Sequence, residues 1–171
     1  MTTAVLNNDF TIGAVIEGRG VFIGTWAPAD SEGRHLGQVF NLFAAPEDVP
    51  GLYKKMPFNE AARKIAKLGH FHGHAVTRST SAPATLVTDS TYKGEWFIPP
   101  RDVVTDNLLG NKLNGALATT LPARHYRSST PSRTRANKSW VFNRLGQGTR
   151  IDRDEPIIGA VRLVRAELKL G

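Results

Sequence analysis

Short apolar runs broken by glycine and proline at both ends of the chain, with one strong helical period between them, narrow the possible fold more than any other feature. In "IGAVIEGRGVFIGTWAP" two β-rich runs, Ile12 to Ile16 and Val21 to Trp26, flank Glu17-Gly18-Arg19-Gly20. That turn has the glycine content a tight hairpin needs. "GQVFNLFAAPEDVPG" then carries a buried strand, Gln38 to Ala44, closed by a turn on Pro46 and Pro50. Strand and turn signals return after residue 122: Trp140 to Leu145, a turn at Gly146-Gln147-Gly148, and a closing alternation from Ile158 to Leu168.

Between these ends lies the clearest helix, "MPFNEAARKIAKLG". Pro57 suits its first turn, Phe58, Ala61, Ala62, Ile65 and Leu68 repeat at helical spacing, and Gly69 supplies a stop. Arg63, Lys64 and Lys67 face water, with Glu60 one turn from Lys64. A second, shorter helix is expected in "IPPRDVVTDNLLGN", with Pro100 in its first turn and Val103, Val104 and Leu108 as its stripe. Thr77 to Ser90 reads as a loop. The expectation is an α+β fold with two short helices, small antiparallel sheets, and adjacent N- and C-terminal strands, so that Val161, Leu163 and the first hairpin share one sheet.

A chain of 171 residues, 40% hydrophobic, is ordinary for a single domain over residues 1–171 with a real core. It has no cysteine, so thiol nucleophiles, thiolate zinc sites and disulfides are excluded and the fold rests on packing. The opening MTTAVLNNDF lacks a signal-peptide pattern and no apolar run reaches membrane-spanning length, so no signal peptide and no membrane insertion are expected. The formal net charge of +7 permits contact with nucleic acid, anionic lipid or an acidic protein, and chooses none of them.

Candidate chemistry is thin. "HFHGH" places His70, His72 and His74 at alternate positions, where a strand would aim three imidazoles one way, but no carboxylate accompanies them and Gly69 and Gly73 imply a bend. No serine elbow, phosphate-binding glycine loop or paired-carboxylate site is present. Neither an enzyme, a metal nor any other cofactor is expected.

"FNLFAAPEDV", "PFNEAARKIAKL", "HGHAV", "GEWFIPPRDVV", "YRSSTPS", "LGQG" and "VRLVRAEL" follow one another in an order that resembles small bacterial and phage domains of the C-type-lectin-like fold. That fold is the one of formylglycine-generating-enzyme relatives, phage tropism determinants and variable proteins of diversity-generating retroelements. The resemblance runs from Ile12 to Leu168. It implies a C-type-lectin-like domain without formylglycine-type oxidation, since that needs cysteine. It also implies no calcium site of the animal-lectin kind, because the acids are scattered and Thr105-Asp106-Asn107 is too little.

Two departures stand out. The family's Tyr-Trp-Ser-Ser-Thr motif is Tyr126-Arg127-Ser128-Ser129-Thr130 here, so a guanidinium that must be solvated or paired replaces a core-facing ring. In the next strand Trp140 falls one residue early, which leaves open whether Trp140, Phe142 and Arg144 share the core face or the exposed face.

From Pro122 to Arg153 eight basic residues, Arg124, Arg127, Arg133, Arg135, Lys138, Arg144, Arg150 and Arg153, stand against the single acid Asp152. No recognition helix or stacking pair of aromatics accompanies them, so nucleic-acid binding ranks third. The resemblance implies that the C-terminal strands and loops form the ligand-facing surface. The candidate partner-binding residues are therefore Arg127, Ser132, Arg133, Thr134, Arg135, Asn137, Lys138, Trp140 and Arg144. The reading is a non-enzymatic binding or assembly module, a phage or prophage virion component such as a tail, baseplate, fibre-tip or capsid-decorating subunit. It would be oligomeric in its assembly and meet an acidic protein surface. A receptor domain recognising a host protein or glycan is the alternative.

Overall fold

The computed structural model describes residues 10–28, 34, 37–68, 70–71, 74–75, 96–109, 125–131, 138–143, 146–152 and 154–169. In chain order these residues form β1 (Val15–Ile16), β2 (Gly20–Trp26), β3 (Phe40–Ala44), β4 (Lys55–Met56), α1 (Phe58–Ala66), β5 (His70–Phe71), β6 (His74–Ala75) and β7 (Trp96–Phe97). Then come α2 (Arg101–Val103), running directly into a π-helical turn at Val104–Leu108, β8 (His125–Pro131), β9 (Lys138–Asn143), β10 (Gly148–Asp152), β11 (Ile157–Ile158) and β12 (Val164–Leu168). The fold is α+β with mostly antiparallel sheets and two short helices.

The main sheet has the order β1-β2-β3-β12-β7, and every neighbouring pair in it is antiparallel. The expected hairpin is its first edge, with Ile16 opposite Gly20. Gly20 has φ +107°, and a Cβ there would press into the Ala44 carbonyl oxygen, so the hairpin closes on β3 only because this residue has no side chain. Leu42, Phe43 and Ala44 are fully buried, which means β3 is covered on both faces. A strand of that kind belongs at a sheet's centre, and β3 takes it. It therefore lies between the N-terminal hairpin and β12, so the terminal strands share a sheet without being adjacent.

The closing alternation is also not one strand. Ile157 and Ile158 pair with β4, Ala160 forms a parallel bridge with Tyr126, and only from Val164 does the chain join the main sheet. Val161 and Leu163 lie outside that sheet, their carbonyls accepting from the backbone N–H of Val49 and Ala45, at 2.9 Å each. One segment thus touches three sheets in twelve residues, from Ile157 to Leu168.

The core follows from strand alternation. Val21, Ile23, Phe40, Leu42, Ala44, Val164 and Ala166 point to one face of the main sheet, where Val103, Val104 and Leu108 cover them together with Tyr126 and Phe142 from the β10-β9-β8 sheet. A second cluster packs the predicted stripe Phe58, Ala61 and Ile65 of α1 against Val49, Leu52, Met56, Trp96, Ile98, Val161 and Leu163. Pro57 and Pro100 sit at the N-cap positions of α1 and α2, just before the turns they were assigned to. The loop at 77–90 and the stop at Gly69 lie outside the described residues.

Asn107, buried in the π-helical turn, has its own task. β2 changes register against β3 between Phe22 and Thr25, around Gly24 at φ +101°. Asn107 Nδ2 donates to the carbonyls of Ile23 at 2.9 Å and Thr25 at 3.4 Å, spanning the bulge.

Candidate functional site

The motif Tyr126 to Thr130 is occupied residue by residue with holding the molecule together. Tyr126 Oη donates to Asp48 Oδ2 at 2.9 Å, and Arg162 Nε donates to Asp48 Oδ1 at 2.7 Å, joining β8 to the Pro46–Pro50 turn and to the terminal segment. Ser128 Oγ donates to the Trp140 carbonyl at 2.9 Å where β8 slips register against β9. The Ser129 N–H donates to the Pro99 carbonyl at 2.9 Å, and Thr130 Oγ1 accepts from the Arg101 N–H at 2.8 Å. The last two bonds dock the Pro99-Pro100-Arg101 turn onto β8.

Arg127, expected at the partner surface, is 1% exposed. Its Nε donates to the Gly159 carbonyl at 2.8 Å, and Nη2 to the carbonyls of Met56 and Ile157 at 2.7 Å each. Gly159 leaves room for the stem, since a Cβ there would lie 3.2 Å from Arg127 Cγ. Burial lowers the guanidinium pKa below the usual arginine range, to about 10, and the group remains charged at neutral pH. Three charge-assisted bonds offset part of its desolvation. The partner role is therefore corrected. Arg127 is paired, as the sequence required, but with backbone carbonyls in β11, β4 and the link to the bridge.

What this bracing holds in place is Trp140. Tyr126 pairs with Phe142 across β8 and β9, and Arg150 pairs with Trp140 across β9 and β10. Trp140 and Phe142 accordingly lie on one face of β9, stacked at 6.1 Å and 17°. Phe142 is in the core and Trp140 is half-buried at its rim. A Cβ on Gly148 would press into the Phe142 ring and crowd the Trp140 ring, so glycine lets β10 run beneath them undisturbed. The question of core against display therefore has a divided answer. Val141, on the opposite face of β9, is buried as well, so β9 is covered on both sides near its middle.

Two cations stand around the indole. The Arg101 guanidinium carbon is 4.6 Å from the Trp140 ring centre and that of Arg150 is 5.7 Å from it, both within cation–π range. Arg101 and Arg150 are exposed. Lys138, at the far end of β9, pairs with Asp152 at 3.6 Å across the sheet. Asp102, next to Arg101, accepts from Trp26 Nε1 at 2.8 Å, so the residue following Arg101 is tied to the main sheet.

Of the sequence candidates, Trp140 and Lys138 lie on this surface, while Ser132, Arg133, Thr134, Arg135, Asn137 and Arg144 fall outside the described residues. Sequence reasoning missed Arg101, although "GEWFIPPRDVV" contains it. It counted Arg150 among the basic residues without placing it at the site. The signal for Arg101 is the Pro-Pro dipeptide, which rigidly presents whatever begins the next helix.

β5 and β6 pair with His70 opposite Ala75 and Phe71 opposite His74, and the imidazoles of "HFHGH" lie outside the described side chains. Among the described residues no group of three or more His, Cys, Asp or Glu could hold a metal ion, and no helix is long and apolar enough to cross a membrane. Comparison with family models, with curated proteins and with solved structures finds no match for this chain.

Proposed function

We propose that the chain is a non-enzymatic, C-type-lectin-like binding or assembly module, a structural component of a phage or prophage virion, whose C-terminal strands contact another protein subunit. The virion assignment is supported by the order of motifs from Ile12 to Leu168. The contact surface is supported by one observation above all: a half-buried tryptophan flanked by two arginines, held on a sheet that is braced through Tyr126, Arg127, Ser128 and Thr130. Tryptophan and arginine on a rigid support are the residue types that dominate protein interfaces.

The same geometry ranks the receptor alternative lower for neutral glycans. A pyranose binds tryptophan by lying on a ring face, and Arg101 already lies over the Trp140 ring. The test is to purify particles from producing cells and ask whether the chain sediments with them. Wild type is expected in the particles, and Trp140→Ala is expected to be depleted from them while still folded, its melting temperature lowered by the loss of the ring contact with Phe142. Recovery of the wild-type chain only as a monomer that binds glycans would overturn the assembly reading in favour of recognition.

A further inference from the structure

The position of Arg101 is determined on three sides. The carbonyl two residues before it accepts from Ser129, its own N–H is capped by Thr130, and the carboxylate after it accepts from Trp26. Its guanidinium carbon lies over the Trp140 ring, 4.6 Å from the ring centre. A guanidinium carries its N–H donors in a planar fork that matches a carboxylate or a phosphate. The Arg150 guanidinium carbon lies 5.7 Å from the centre of the same ring.

We propose that Arg101, lying over Trp140, is the anchor for a carboxylate side chain, Asp or Glu, of a partner protein; this rests on the reading of the β9–β10 surface as a protein contact. Charge complementarity selects the anion. The geometry selects the carboxylate over a nucleic acid, because a phosphate backbone is bound by a row of cations, with exposed ring faces on which bases stack. Among the described residues of this surface, two arginines meet at one ring, and that ring is already overlaid by a guanidinium. A single planar fork on an aromatic floor fits one carboxylate, a geometry that also makes Arg–aromatic clusters energetic centres of protein interfaces.

The probes are a hexaglutamate peptide and a six-nucleotide oligothymidylate, each titrated into full-length protein while the Trp140 indole N–H and Arg101 Nε–H signals are followed by NMR. Hexaglutamate is expected to shift both signals saturably. Arg101→Ala should abolish the effect, and Arg101→Lys should weaken it by about tenfold, since an ammonium keeps the charge and loses the fork. Melting temperature should not change in either variant, which separates loss of binding from loss of fold. Tighter binding of the oligothymidylate than of hexaglutamate would overturn the carboxylate assignment, as would hexaglutamate shifts that survive Arg101→Ala. Sedimentation with particles distinguishes this failure from failure of the broader reading. A chain that enters particles but binds no hexaglutamate through Arg101 loses the anchor and keeps its assembly role. One that binds hexaglutamate through Arg101 but stays out of particles keeps the anchor and loses that role.

Discussion

Arg127 shows how far a single residue can be understood from its neighbours in sequence. Placed where an aromatic belongs in the motif it resembles, it required a partner or water, and that requirement was legible. The partners were not, because they are main-chain carbonyls 71, 32 and 30 residues away that the tertiary fold brings together. Arg127→Met fills similar volume but leaves the oxygens of Met56, Ile157 and Gly159 without their donor. Each buried acceptor left unsatisfied costs about 1–3 kcal/mol. A loss of roughly 3 kcal/mol or more is expected, which for a chain of this size lowers Tm by about 6–12 °C in calorimetry. The pH dependence has a defined sign. The folded-state pKa of about 10 lies below the ordinary arginine value, so between the two the unfolded chain holds a proton that the folded one has released. The group's contribution to stability therefore rises with pH across that window and is flat below it. The Tm difference between wild type and Arg127→Met should accordingly stay constant from about pH 6 to pH 9, and a steep change there would mean that another group titrates with Arg127.

Among the elements, legibility tracked periodicity. α1 was visible because its apolar stripe and leading proline agree, and β2 and β3 because their runs end in glycine and proline turns. β10 was not, since Gly146-Gln147-Gly148 reads as a turn and the polar "TRID" that follows has no apolar alternation. Gly148 is instead the first residue of the strand, kept small by the rings lying over it. The facing of Trp140 was undecidable from alternation because β9 buries Val141 on one side and Phe142 on the other. Two elements carry tests. Asn107→Ala would strip the bulge carbonyls of Ile23 and Thr25 of their donor, with an expected loss of about 1–3 kcal/mol in urea unfolding; an unchanged midpoint would mean that water replaces the amide. Thr130→Val removes the acceptor for the Arg101 N–H at the start of α2. It should cost only about 1 kcal/mol of stability, the scale of a lost helix cap. Hexaglutamate binding should nevertheless weaken several-fold, because α2 is what aims Arg101 over Trp140.

At the scale of the whole molecule, the two larger sheets have no separate cores. Tyr126 and Phe142 of the smaller sheet are members of the same apolar cluster as Val21, Leu42 and Val164 of the main one. The terminal segment binds them further: Ala160 exchanges backbone bonds with His125 and Arg127 at 2.9 Å, and the Leu163 and Val161 carbonyls accept from the N–H groups of Ala45 and Val49 after β3. Asp48 completes the seam by accepting from Tyr126 of β8 and from Arg162, which also donates to the Ala45 carbonyl at 2.9 Å. Arg162 is 4% exposed, so Asp48→Ala leaves a buried charge without its counterion, a change that costs about 3–5 kcal/mol. If the seam joined two independent units, this variant would loosen the smaller sheet and spare the main one. Because they share a core, both should unfold together at a lower urea concentration. Fluorine labelling of the three tryptophans separates these outcomes, since Trp26 and Trp96 report the main sheet and Trp140 the smaller one. All three signals should reach their midpoints at one urea concentration in wild type and at one lower concentration in Asp48→Ala. A Trp140 signal that is lost first, while Trp26 and Trp96 keep their native shifts, would show that the surface bearing Arg101 and Trp140 unfolds on its own, and that the rigid support on which its binding role depends is absent.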